Sequence, residues 1–161
     1  MMFNIKRSAL ILVIFMLSII CDQTSKQMAI KYLQPVPQSS YLFDLIRLQY
    51  TENVGAMLSI GDSLSESARF WLFTVVVAIL LIGVIIYAHT VSFRNYLKII
   101  GLSLIAGGGM SNLIDRISNN GAVVDFMSIG IGTLRTGIFN VADFLILVGI
   151  VMVLIFHSHR G

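Results

Sequence analysis

Long apolar runs separated by short polar segments dominate this sequence. Four apolar stretches cover residues 9–21, 70–88, 97–114 and 138–156. The last three approach the ~20 residues that an α-helix needs to cross the ~30 Å hydrocarbon core of a bilayer. The first reaches this length only if its helix continues past Asp22 to about Lys31. The pattern therefore predicts a membrane α-helical protein of one domain, residues 1–161, with four transmembrane helices at about residues 8–28, 70–88, 97–115 and 138–157.

The first apolar stretch also has the form of a cleavable signal peptide, because two basic residues precede it. Cys21 resembles the cysteine at which lipoprotein precursors are cleaved, but Ile19 and Ile20 stand where small residues would be needed. Asp22 follows immediately and argues against removal of the segment. We therefore expect a retained transmembrane helix.

Composition supports a chain that is largely surrounded by lipid. Hydrophobic residues make up 57% of the sequence and charged residues 12%, with a mean hydropathy of +0.88, whereas soluble domains carry roughly 25% charged residues. The single cysteine excludes an internal disulfide framework and a cysteine-rich metal site. Nothing in the composition favours a nucleic-acid partner.

Charged residues are distributed unevenly between the segments outside the predicted helices. The N-terminus, the segment around residues 91–98 and the C-terminus carry five basic residues and no acidic one: Lys6, Arg7, Arg94, Lys98 and Arg160. The opposite side carries six basic residues and all eight acidic ones: Asp22, Asp44, Glu52, Asp62, Glu66, Asp115, Asp125 and Asp143. The positive-inside rule then predicts cytoplasmic termini and outer loops at residues 32–69 and 116–137.

The first outer loop has features of a small β-structure. Pro35 and Pro37 favour extended backbone near its start. Residues 45–51 then alternate imperfectly between apolar and polar side chains, as in a half-buried strand. We predict a small extracytoplasmic β-cradle within this loop.

Three consecutive glycines at residues 107–109 interrupt the third apolar stretch. Small residues allow neighbouring helices to approach closely within a membrane. The run therefore predicts tight helix packing, with direct substrate contact as the alternative.

Four aspartates converge on one level near the outer ends of the predicted helices: Asp22, Asp115, Asp125 and Asp143. Ionisable groups at the centre of a membrane helix cost about 2.5–3.5 kcal/mol each, so they persist mainly where they form a site or neutralise one another. This convergence predicts a functional site.

Asp125 and Asp143 are the candidate catalytic pair, because each lies among apolar neighbours. Two carboxyl groups close together would share one proton, so that one activates a water and the other polarises a carbonyl. Two alternatives remain at this point: each aspartate caps a helix, or the acids form a proton or cation relay in a small transporter component.

Polar neighbours of the aspartates are candidates for organising the site. Asp115 and Arg116 are adjacent and predict an ion pair that leaves the guanidinium able to donate to a carbonyl or another carboxylate. Asn53, Asn112 and Asn140 each bring two donors and an acceptor to the same level.

Five short motifs occur in order: Asp22-Gln23-Thr24-Ser25-Lys26, Asn53-Val54-Gly55-Ala56, Asn112-Leu113-Ile114-Asp115-Arg116, Val123-Val124-Asp125-Phe126 and Phe139-Asn140-Val141-Ala142-Asp143. Together they resemble the motifs of the lipoprotein signal peptidases, also called signal peptidase II. Each motif alone is weak, whereas all five in order are highly specific.

The resemblance implies an aspartyl endopeptidase of the bacterial inner membrane, with Asp125 and Asp143 as the catalytic pair near the outer face. Its expected substrate is a prolipoprotein that carries a diacylglyceryl cysteine, cleaved just before that cysteine, in contact with membrane lipid. Globomycin-type inhibitors would block it, and no metal or cofactor is implied. The residues implied in substrate binding or site organisation are Asp22, Lys26, Asn53, Gly55, Asn112, Asp115, Arg116 and Asn140.

The sequence departs from the usual family pattern at Met57, Leu58, Ser111 and Phe144. Ser111 replaces a usual glycine and Phe144 a usual serine, so substrate range and inhibitor fit are expected to differ. A paralogue that binds lipidated peptides without cutting them is the alternative, although both candidate catalytic aspartates are retained.

Overall fold

The computed structural model describes residues 5–55, 61 and 63–156. Its helices are α1 (Ile5–Leu33), α2 (Glu66–Thr90), α3 (Tyr96–Ser118) and α4 (Val141–Ile155). Its strands are β1 (Ser39–Tyr41), β2 (Ile46–Asn53), β3 (Val123–Ile131) and β4 (Leu134–Arg135). Met57, Leu58, Asp62 and Arg160, which figured in the sequence analysis, lie outside the described residues.

The helices coincide with the four apolar stretches, except that α4 begins at Val141 instead of residue 138. They differ in their suitability for crossing a membrane. α2 and the helical segment Phe93–Ser118 are long and apolar enough to do so, with hydropathies of 2.8 and 1.5. α4 is apolar but has only 15 residues. α1 has 29 residues and contains the buried Asp22 and Lys26. Four membrane crossings therefore stay a prediction.

The three glycines allow α1, α2 and α4 all to pack closely against α3, which makes α3 the central helix. This agrees with the tight helix packing that the glycine run predicted. A Cβ atom on Gly107 would lie 2.6 Å from Ser18 Cβ of α1, and one on Gly108 would lie 2.7 Å from the Ala142 carbonyl oxygen of α4. A Cβ atom on Gly109 would lie 2.5 Å from Leu81 Cδ2 of α2. Successive helical positions point about 100° apart, so each glycine admits a different neighbour.

The sheet is antiparallel, with strand order β1-β2-β3-β4. The prediction that the cradle lies in the first outer loop is therefore incomplete, because β3 and β4 come from the segment between α3 and α4. This segment was predicted only as a loop. Thr51 pairs with Asp125 and Asn53 with Val123, so the sheet brings two of the motifs together.

A π-helical segment, Phe70–Val76, interrupts α2 between its α-helical parts Glu66–Arg69 and Val77–Thr90. Short π segments often occur near functional sites. Here the segment carries Phe73, whose ring lies 5.2 Å from the guanidinium carbon of Arg116. The π segment thus places an aromatic ring beside one of the candidate site residues.

Candidate active site

Asp125 lies on β3 and is 3% exposed. Its Oδ2 accepts a hydrogen bond from Asn53 Nδ2 at 2.9 Å, and its Oδ1 accepts one from Asn140 Nδ2 at 2.7 Å. The sheet supplies the first partner and the segment before α4 supplies the second. Both carboxylate oxygens are therefore oriented by amide groups from different elements.

The environment of Asp125 favours its protonated form. Burial raises the pKa of this carboxyl group from 3.8 to about 6, against the lowering effect of the hydrogen bond from Asn53. The negative charge of Asp143 raises the pKa further, and the hydrogen bond from Asn140 lowers it. Because desolvation has the largest effect, Asp125 can retain a proton at pH values where an exposed aspartate is ionised.

Asp143 lies in the first turn of α4 and takes part in its N-terminal cap. Asn140 Oδ1 accepts from the Asp143 backbone N–H at 2.9 Å, and Asp143 Oδ2 accepts from the Asn140 backbone N–H at 3.2 Å. This is a capping box. The other oxygen, Oδ1, accepts from Asn112 Nδ2 at 2.9 Å. The helix-capping alternative is thus correct for Asp143, but it also leaves the carboxylate facing the cavity.

Asp125 and Asp143 line one cavity of about 190 Å³, together with Asn53, Asn112 and Arg116. Asn140 joins the two carboxylates, because its side-chain nitrogen donates to Asp125 while its side-chain oxygen caps α4 beside Asp143. The arrangement brings two carboxyl groups to one half-open, partly apolar cavity. It is suited to general acid and base chemistry on a bound water.

The other two aspartates do not line this cavity and pair with Lys26. Its ammonium lies 2.7 Å from Asp22 Oδ2 and 2.8 Å from Asp115 Oδ2, and it donates to Asn112 Oδ1 at 2.8 Å. Lys26 is 1% exposed and Asp22 is fully buried. Asp22 also accepts from the Ala142 backbone N–H at 2.8 Å. Lys26 offsets one of the two negative charges, and these contacts fix α1 to α3 and α4.

The predicted ion pair between Asp115 and Arg116 is wrong. Adjacent residues on a helix point in different directions, and Asp115 pairs with Lys26 instead. Arg116 donates to backbone carbonyls: to Gly121 at 2.7 Å, to Gly55 at 2.5 Å and to Val54 at 3.3 Å. It therefore holds the chain that follows β2 against the end of α3, where Gly55 is buried.

Sequence reasoning assigned no role to two side chains of the buried network. Gln23 Nε2 donates to Asp115 Oδ1 at 2.7 Å and to Ser111 Oγ at 3.0 Å. Ser111 Oγ in turn donates to Asp22 Oδ2 at 2.8 Å. Gln23 lies within one of the motifs and Ser111 directly precedes another. This proximity to the motifs was the sequence feature that could have indicated a role for them. Ser111, a departure from the usual pattern, thus adds a hydrogen bond to a buried carboxylate.

No metal site accompanies these residues within the described ranges 5–55, 61 and 63–156: no group of three or more His, Cys, Asp or Glu side chains there is arranged to hold an ion. The carboxylates of the cavity are instead bound by amide and backbone donors.

Comparison with known proteins gives a consistent picture. A family model described as Signal peptidase (SPase) II matches residues 14–159. A lipoprotein signal peptidase of Streptococcus pneumoniae is 34% identical over 150 residues, which cover 93% of each chain. One from Borrelia turicatae is 34% identical over 160 residues, covering 95% of this chain and 93% of that protein.

Solved structures of bacterial membrane enzymes share the fold. One, determined by the in meso method, has a TM-score of 0.77 at 24% identity, covering 94% of this chain and 91% of that one. A second has a TM-score of 0.76 at 23% identity, covering 94% of each. The protein thus has the fold of these solved structures, helical with a small antiparallel sheet. It belongs to the signal peptidase II family, a family of peptidases, and the resemblance of the five motifs is confirmed.

Proposed function

We propose that this protein is an intramembrane aspartyl endopeptidase that removes signal peptides from prolipoproteins, cutting just before the lipidated cysteine. The observation that carries the proposal is the pair Asp125 and Asp143, which line one cavity and are joined through Asn140. Membership of the signal peptidase II family supports the substrate class.

In the proposed mechanism the two carboxyl groups share one proton. The ionised member removes a proton from a water molecule, which attacks the peptide carbonyl, and the protonated member donates to the carbonyl oxygen. The aspartate that took the proton from water then passes it to the departing amine, and the C–N bond of the tetrahedral intermediate breaks. The proton on the former carbonyl oxygen returns to the other aspartate. Asn53, Asn112 and Asn140 hold the carboxylates in place through the contacts at 2.7–2.9 Å. No covalent acyl-enzyme forms.

The proposed topology has four membrane-crossing helices, cytoplasmic termini and an active site near the outer face of the bacterial inner membrane. The charge distribution supports it, because the outer segments hold all the acidic residues. When α1 crosses the membrane, Asp22 and Lys26 would form an ion pair with 2.7 Å between Oδ2 and Nζ. This pairing lowers the free-energy cost of placing both residues at membrane depth. The substrate would carry a diacylglyceryl group within the adjoining lipid, and a globomycin-type cyclic peptide would compete for the cavity.

The proposal is tested by incubating the purified protein, in lipid bicelles, with a lipobox peptide. Such a peptide contains the segment around the cysteine at which lipoprotein precursors are cleaved, and here that cysteine carries a diacylglyceryl group. Mass spectrometry should detect the released signal fragment and a new N-terminal lipidated cysteine. The same peptide without lipid should be cut more slowly, and globomycin should stop cleavage. Binding of the lipidated peptide without cleavage would instead identify a catalytically altered relative.

A further inference from the structure

Within the described residues, two further cavities flank the carboxylate cavity, and they have opposite chemical character. One lies over the sheet, measures about 430 Å³ and contains the charged side chains of Arg47, Glu52 and Arg135. The other measures about 310 Å³ and lies between the end of β3 and the start of α4. We call the second the apolar groove, lined by Ile129, Thr136, Gly137, Ile138, Phe139, Asp143, Phe144 and Leu147.

All three cavities meet at one side chain. Ile138 lines the carboxylate cavity, the cavity over the sheet and the apolar groove. The cavity over the sheet shares Asn53 and Asp125 with the carboxylate cavity, and the apolar groove shares Asp143 with it. A ligand that passes the two carboxyl groups therefore has a charged surface on one side and an apolar groove on the other.

The apolar groove is open along the side of α4. Phe144 and Leu147 lie three residues apart, so they stack on one face of the helix, and they are 55% and 57% exposed. In the proposed topology this face contacts lipid. Asp143 and Thr136 supply the polar atoms of the groove, and the remainder of its lining is hydrocarbon or glycine. This apolar lining fits an alkyl chain.

We propose that the apolar groove binds one acyl chain of the lipidated substrate and thereby fixes the depth of the scissile bond relative to Asp125 and Asp143. This inference rests on the proposed function. An acyl chain gains little free energy on moving from bilayer hydrocarbon to an apolar groove. The contribution of the groove is therefore orientation, and a displacement of about 1 Å at the reacting bond can cost on the order of a hundredfold in rate.

Filling the groove tests this assignment. Lipobox peptides with two C6 or two C16 acyl chains are compared in the same bicelles for wild-type protein, Leu147→Trp and the control Leu154→Trp. Leu154 lies two turns further along the same face and is 70% exposed. We expect Leu147→Trp to lower kcat/KM for the C16 peptide about tenfold more than for the C6 peptide. Leu154→Trp should leave the ratio of the two unchanged.

A second measurement does not depend on activity. A C16 lipobox peptide with a photoreactive diazirine near one chain end should label Phe144 or Leu147 in wild-type protein, and Leu147→Trp should abolish labelling at the groove. Labelling of these residues by a diazirine phospholipid that the lipobox peptide cannot displace would show that bilayer lipid occupies the groove, and would overturn the assignment.

Failure of this inference differs from failure of the proposed function. If wild-type protein cuts neither peptide, the proposed function is wrong. If it cuts both, and a folded Leu147→Trp protein keeps the wild-type C16 to C6 ratio, the assignment of the groove alone is wrong. Leu147→Ala provides the converse test, because an enlarged groove should improve cleavage of methyl-branched chains relative to straight ones.

Discussion

At the residue scale, one cation distinguishes two of the four aspartates from the other two. Lys26 forms ion pairs with Asp22 and Asp115, whereas Asp125 and Asp143 line the cavity. The sequence placed all four aspartates at one level, but spacing along the chain could not divide them into two pairs. That division depends on where α1 packs against α3, which is a tertiary contact.

Lys26 is predicted to be a major source of stability. Lys26→Met keeps most of the volume but leaves two buried carboxylates without their shared cation, which typically costs about 3–5 kcal/mol. Lys31→Met, on the exposed end of α1, is the matched control and should change little. Unfolding in a mixed-micelle denaturant titration measures both variants. Equal stability of Lys26→Met and wild-type protein would show that the network is not structurally important.

The hydrogen bond from Asn53 is predicted to set part of the pH dependence. A pair that needs one shared proton should lose kcat/KM as the pH rises through the apparent pKa of the pair, near the value of about 6 for Asp125. The bond from Asn53 lowers the pKa of Asp125. Asn53→Ala should therefore raise this pKa and move the alkaline limb of the profile to higher pH.

The control for this profile is Asn119→Ala, at the exposed C-terminal end of α3. It removes an amide of the same size without touching either carboxylate, so its profile should coincide with that of the wild type. An alkaline limb that stays in place or moves to lower pH in Asn53→Ala would contradict the assigned role of Asn53.

At the element scale, the helices were more predictable than the sheet. Apolar length identifies a helix from local sequence, and the glycine run correctly indicated close packing of α3. The sheet joins β2 to β3, whose paired residues Thr51 and Asp125 lie far apart in sequence. Strand propensity depends on the partner and the face that is buried, so residues 116–137 gave no local indication of β3 and β4. The π-helical segment in α2 was not predicted either.

Close approach of α3 to α4 is predicted to tolerate no added methyl group. In Gly108→Ala the new Cβ would lie 2.7 Å from the Ala142 carbonyl oxygen, which is backbone and cannot move aside easily. Overpacking of this kind typically costs about 1–3 kcal/mol. The matched control is Gly83→Ala in α2, where a Cβ meets nothing within 4 Å, and where alanine should be neutral or stabilising by up to about 1 kcal/mol.

Thermal unfolding of the two purified glycine variants in the same detergent checks this prediction. Gly108→Ala should unfold at a lower temperature than wild-type protein, and Gly83→Ala should not. Equal destabilisation by both would mean that the packing at the glycine run does not determine the stability of the bundle.

At the scale of the whole molecule, the sheet and the helix ends together form the site. β3 carries Asp125, α4 carries Asp143, and the segment before α4 carries Asn140, which joins them. The motifs indicated residues that the structure brings together around the cavity and in the adjoining buried network. They could not predict the separate buried network around Lys26, the backbone contacts of Arg116 or the two flanking cavities, because each depends on packing between elements.

The orientation of the molecule in the membrane is predicted from its charges. A reporter fused after Arg94 or after Gly161 should be cytoplasmic, and one inserted near Ser63 should be outside. Paired phosphatase and fluorescent-protein fusions in bacterial cells distinguish a cytoplasmic position of the fusion point from an outside position. The reverse pattern would place the carboxylate cavity on the cytoplasmic side and would contradict the proposed location of the site.

The central claim is that Asp125 and Asp143 act as one proton-sharing unit, and amide substitution tests it most directly. Asparagine is nearly isosteric with aspartate but cannot ionise, so Asp125→Asn and Asp143→Asn should each abolish cleavage of a diacylglyceryl lipobox peptide while lipopeptide binding persists. The double variant should be scarcely worse than either single one, because residues that act as a unit are not additive. Asp44→Asn, in the turn between β1 and β2 and paired with Arg47, should remain active. Substantial cleavage by either single variant, or an acyl-enzyme trapped with wild-type protein, would contradict the account.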